Sequence, residues 1–280
     1  MTSVLLLGFG AIGRHVAQLL SPELGSGTLR LTALVSDRAK HADRLDHGAE
    51  VVDVLPLPRQ FSDFDVIVEC AGVPAAARLG PAAIAAGRPL VLTSVGALAE
   101  PGARAGLLAG PGRLHVTNGA IGGLDVLEAA AQAGGLDTAR ITTSKEATGL
   151  IRPWMSEAEA DRLRALRPED GPVTVFTGNP AEAIEKFPAN VNIAVALAWA
   201  TRGLSHSSTD AHLLDASLGR VQVELQAVAG QTQSAHRIRA SGSAGDFSFD
   251  IRSTPSPENP ATSGLTALSV TRTLRSVIAG

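Results

Sequence analysis

Apolar residues in the first 120 positions come in short runs, at 3–7, 29–35, 51–55, 66–70, 90–93 and 114–117, separated by stretches with helical spacing such as 11–20. Short apolar runs bounded by turns read as buried strands, and strands alternating with helices predict a parallel, doubly wound sheet whose ligand sits at the carboxyl ends of the strands. From about residue 119 the pattern changes. A helix is expected over 122–133, then strands over 139–144 and 173–176 around a helix opened by the capping sequence Ser156-Glu157-Ala158-Glu159. Asn179-Pro180 starts another helix, Pro188 interrupts it, and 190–200 continues as a very apolar one. Runs at 211–214, 221–228 and 247–251 read as further strands, and their short links favour antiparallel pairing. The expectation is an α/β chain: a doubly wound parallel sheet over 1–118, an α+β domain over 119–261, and a helix over 262–280 that packs back on the first domain.

The turn between the first run and the first helix is Gly8-Phe9-Gly10-Ala11-Ile12-Gly13. In a strand-turn-helix unit this spacing fits a dinucleotide. The first glycine makes the turn, the second lets the backbone approach a pyrophosphate, and the third lets helix and strand pack closely. The second run ends at Ser36-Asp37-Arg38, placing an acid 24 residues after Gly13, where a carboxylate meets the adenosine ribose. Asp37 favours NAD and Arg38 could take a 2′-phosphate, so both NAD and NADP stay open. The loops holding Ala71-Gly72 and Ser94, after the fourth and fifth runs, would face the same cofactor.

Composition narrows the rest. Among 280 residues, 45% are hydrophobic and the formal net charge is −3, with Lys and Arg scattered singly, which excludes the basic footprint of a nucleic-acid partner. The single cysteine, Cys70, sits inside an apolar run, so neither a disulfide framework nor a thiolate metal cluster is expected. No apolar stretch reaches the roughly 18 residues of a membrane span, and no charged leader precedes the first strand, so a cytoplasmic protein without a membrane partner is expected. The seven histidines form no metal-ligand spacing, and no metal site is expected.

Four polar clusters stand where local structure breaks: residues 118–125, 142–149, 186–193 and 255–263. In the second, Lys145 could bind a substrate carboxylate or move a proton if desolvated, with Glu146 beside it. In the third, Asn190 and Asn192 cannot both cap one helix, so one amide is left for a ligand such as the nicotinamide carboxamide.

Taken in order, these clusters resemble the L-aspartate dehydrogenase family across nearly the whole chain. The resemblance implies a Rossmann domain followed by a domain similar to that of glyceraldehyde-3-phosphate dehydrogenase, a homodimer, and NAD or NADP as cofactor. It also implies that Gly8, Gly10, Ala11, Ile12 and Gly13 hold the pyrophosphate and that Ala120 and Asn190 contact the nicotinamide half. The family's strand motif D-P-x-x-x-x-N-x-H carries the histidine regarded as its acid–base group. Aligned without gaps on Asp215, that histidine falls on Val223, and no histidine lies between His212 and His236. Lys145, Glu146 and His212 are then the candidates to replace it. Two functions follow: hydride transfer between nicotinamide and a small amino acid, imine or related carbonyl substrate, or a catalytically inactive NAD(P)-binding sensor.

Overall fold

Val4, Leu5, Leu6 and Leu7 are all buried, which requires a packed layer on each side of their strand, β1 (Thr2–Leu7). The computed structural model, which describes residues 1–41, 47–53, 61–187, 192–256 and 258–280, supplies that arrangement. The chain divides into two compact units, Met1–Gly119 with Leu265–Gly280, and Ala120–Gly264. In the first unit β1 leads into α1 (Ala11–Leu19), α2 (Ser21–Gly25), β2 (Leu29–Leu34), β3 (Glu50–Val52), β4 (Val66–Glu69), α3 (Val73–Ala85), β5 (Leu90–Leu92), α4 (Pro101–Leu108) and β6 (Leu114–Val116). The strands form one parallel sheet in the order β3-β2-β1-β4-β5-β6. The order reverses between β1 and β4, and that reversal opens the crevice in which such sheets bind ligands.

The second unit contains α5 (Leu124–Gln132), β7 (Thr138–Glu146), α6 (Glu157–Arg164), β8 (Val173–Gly178), α7 (Pro180–Lys186), α8 (Asn192–Ala200), α9 (Asp210–Arg220), β9 (Gln222–Val228), β10 (Ser234–Gly242) and β11 (Gly245–Ser253). Its sheet runs β11-β10-β7-β9-β8, with β7 and β9 parallel and every other pair antiparallel. Along β7, β9 and β10 burial alternates residue by residue, so one face is the core and the other carries Arg140, Glu224 and Arg237. A short pair, β12 (Pro255–Ser256) and β13 (Asn259–Ser263), precedes the last helix, α10 (Gly264–Ala279). Ala267, Val270 and Leu274 of α10 share the first unit's core with Val4, Leu6, Val16 and Leu31. No helix among the described residues is long and apolar enough to cross a membrane.

Two expectations about elements fail. Residues 211–214 are helical, within α9, because Thr209 caps the helix by accepting from the His212 N–H at 3.3 Å and Asp210 meets the helix dipole. The buried positions Leu214, Ser217 and Leu218 then follow helical spacing. Conversely, β10 was not expected at all. Its core positions are His236, Ile238 and Ala240, alternating with exposed Arg237 and Arg239.

Candidate functional site

The glycine turn carries its own test of what it binds. Gly8 has φ +89°, and a Cβ there would lie 2.7 Å from Ala71 Cα, so both turn and packing require glycine. At Gly13 a Cβ would lie 2.5 Å from the Gly8 carbonyl oxygen, which fixes how closely α1 crosses β1. Gly10 differs: its φ is −80° and nothing lies within 4 Å of an added Cβ. Among the described residues no contact explains that glycine. Gly10 caps α1, and Ala11 and Ile12 open its first turn, a helix N-terminus whose chemistry suits an anion such as a pyrophosphate. Gly10→Ala is therefore expected to change stability by no more than about 1 kcal/mol while weakening NADH binding roughly tenfold. Thermal melts and NADH fluorescence titration check the two halves separately.

At the end of β2, Asp37 accepts from the Ala39 N–H at 3.0 Å and lies 3.5 Å from the Lys40 ammonium, leaving Arg38 at the start of the same short turn. Ala71 and Gly72 lead into α3, and Ser94 follows β5, all at the carboxyl end of the sheet. Their N–H groups, however, are taken by Glu69, which stands at the same strand end. Ala120 is buried at the start of the second unit, and Asn190 lies outside the described residues.

In the second unit the sheet register sets the chemistry. Val223 pairs with Ile141 and Gly178 and is 2% exposed, an ordinary core position. The strand motif cannot begin at Asp215, since Asp215–Arg220 is helical. One row further along the same buried face, His236 pairs with Thr143, and its Nδ1 lies 3.1 Å from the Thr143 hydroxyl. Lys145 is two residues beyond Thr143, on that face of β7. Burial, and secondarily the neighbouring Arg152 charge, lowers the Lys145 pKa to about 8. Burial, and secondarily Lys145, lowers that of His236 to about 4, so the imidazole is neutral at pH 7. His212 stands exposed in the first turn of α9, away from this sheet, and Glu146 ends β7.

The buried imidazole also has a thermodynamic signature. Between its usual value of 6.5 and about 4 the unfolded chain binds the proton and the folded chain does not. Stability from this group is therefore complete above 6.5 and is lost as pH falls toward 4, by roughly 3 kcal/mol in total. Urea midpoints at pH 7 and pH 4.5 are expected to differ less in His236→Asn than in the wild type.

Comparisons with known proteins agree with both units. Residues 125–277 match the family model for the aspartate dehydrogenase C-terminal domain, and residues 8–111 match that for the NAD-binding domain of homoserine dehydrogenase. The L-aspartate dehydrogenase of Pseudomonas aeruginosa is 33% identical over 98% of this chain and 97% of its own, and that of Ruegeria pomeroyi is 36% identical over 97% and 91%. A crystal structure of aspartate dehydrogenase from Thermotoga maritima superposes with a TM-score of 0.70 at 24% identity, covering 99% of this chain and 97% of that one. With both family models matched and relatives that align over nearly the whole chain, the chain belongs to the L-aspartate dehydrogenase family and is an NAD- or NADP-dependent dehydrogenase.

Proposed function

We propose that the chain oxidises the amine-bearing carbon of a small dicarboxylic amino acid, L-aspartate first among candidates, with His236 as its acid–base group and Lys145 as the anchor for a substrate carboxylate. The observation that carries this is the pair His236 and Lys145 on one buried face of neighbouring strands, with Thr143 bonded to the imidazole. Ending the family's nine-residue motif on His236 puts Ser234 at its asparagine and Val228-Ala229 at its aspartate and proline. Both placements end on a strand, but the one on Asp215 lays its first six positions in α9 and ends on a valine, whereas this one ends on a histidine. The names of the relatives supply the substrate; the chemistry of the cluster suits it.

An oxidised nicotinamide bound there would supply the hydride acceptor for the substrate carbon, and water would convert the resulting imine to the 2-oxo acid and ammonium. Neutral His236 is in the form that accepts a proton, from the amine or from the attacking water, and Thr143 fixes the ring. Lys145 supplies an ammonium that burial and Arg152 disfavour and that a carboxylate favours. The alternative, an inactive NAD(P)-binding sensor, is motivated by the valine at 223 together with the cofactor motifs; His236 on the same face supports the enzyme. Oxaloacetate, ammonium and NADH or NADPH, followed at 340 nm, test the proposal: turnover supports it, and absence of turnover with both cofactors overturns it.

A further inference from the structure

Glu69, the last residue of β4, is completely buried. Its Oε1 accepts from the Ala71 N–H at 2.7 Å, the Gly72 N–H at 3.0 Å and the Ser94 hydroxyl at 2.9 Å, and its Oε2 accepts from the Ser94 N–H at 2.8 Å. Three of these donors are backbone N–H groups, which cannot accept in return, so the site is built around an ionised carboxylate. Burial pushes the carboxyl above its usual range, and the hydrogen bonds from Ser94, Ala71 and Gly72 oppose that push. The donors come from two separate loops, the turn into α3 and the turn after β5. Both belong to the half of the sheet beyond the strand-order reversal, which takes the second mononucleotide of a dinucleotide. Gly8 packs directly on the Ala71 that Glu69 holds.

We propose that Glu69 is a positioning residue for the nicotinamide half of the cofactor: bonded to both loops, it fixes the backbone of Ala71, Gly72 and Ser94 on which that half rests. The inference rests on the dehydrogenase reading above. It has a chemical corollary. Because those N–H groups are already satisfied by an anion, the two loops offer no second phosphate site; they offer shape and carbonyl oxygens, suited to a ribose and a neutral or cationic ring.

The test titrates wild type, Glu69→Gln and Ser94→Ala with NADH and, separately, with ADP, which carries the adenosine half alone. Glu69→Gln turns an amide group toward N–H donors, and NADH is expected to bind roughly tenfold more weakly while ADP stays within about twofold. Ser94→Ala removes one of the four bonds, and NADH is expected to weaken about threefold with ADP unchanged. Should Glu69→Gln fail to fold, Ser94→Ala carries the comparison. Unchanged NADH affinity overturns the inference alone, as does a parallel loss of NADH and ADP, the mark of a general structural role. A wild-type chain that binds neither nucleotide overturns the dehydrogenase reading and this inference with it.

Discussion

Replacing His236 by asparagine is expected to lower kcat by roughly 10²- to 10⁴-fold while leaving NADH binding unchanged, because the glycine turn and the histidine belong to different units of the chain. Asparagine fits the buried site and can still meet the Thr143 hydroxyl, so the fold is retained and the proton acceptor is lost. A second control is Val223→His. If the motif belonged at position 223, that variant would restore activity to His236→Asn. No restoration is expected, since Val223 sits between Ile141 and Gly178 in the core. Steady-state kinetics of both variants decides the matter: full kcat in His236→Asn would remove the histidine from the mechanism.

Lys145→Met is expected to weaken a dicarboxylate such as succinate by roughly 10- to 100-fold, the range of a hydrogen bond to a charged group. The pH dependence gives a sharper reading. The folded-state value of about 8 means that the ammonium is lost as pH rises through 8, so succinate affinity in the wild type is expected to fall above that pH. Succinate itself does not titrate there, which isolates the enzyme group. In Lys145→Arg the guanidinium stays charged, and the fall should vanish. If instead kcat collapses in Lys145→Arg with binding intact, Lys145 moves a proton and does not anchor the substrate. The same linkage has a cost for the fold. Between about 8 and 10.5 only the unfolded chain carries the charge, so this group adds stability above pH 8 and withholds it at neutral pH. A fold that keeps an unfavourable ammonium at pH 7 fits a site meant for an anion.

The first unit was legible because its strands are buried on both faces and read as continuous apolar runs, and because Gly8, Gly10 and Gly13 each do a separable job. The second unit was harder. The short stretch Ala211-His212-Leu213-Leu214 suits strand or helix equally, and only the Thr209 cap decides. β10 does not read as an apolar run because Arg237 and Arg239 on its outer face interrupt it, although His236, Ile238 and Ala240 alternate as a half-buried strand requires. Without that strand His236 is only one of seven histidines, and the motif aligned on Asp215 has its first six residues in a helix. The role of Glu69 is illegible for a different reason: besides the adjacent Ala71 and Gly72, its partner Ser94 lies on a loop 25 positions away.

The return of α10 to the first unit also orders events during synthesis. Ala267, Val270 and Leu274 complete a core whose other members were made at the start of the chain, and Arg275 reaches back to Glu23 at 2.6 Å. The whole second unit is translated between them, so it can fold as a nascent polypeptide while its predecessor still waits for a missing wall. A ribosome that stalls before residue 264 would release a first unit whose core still lacks Ala267, Val270 and Leu274.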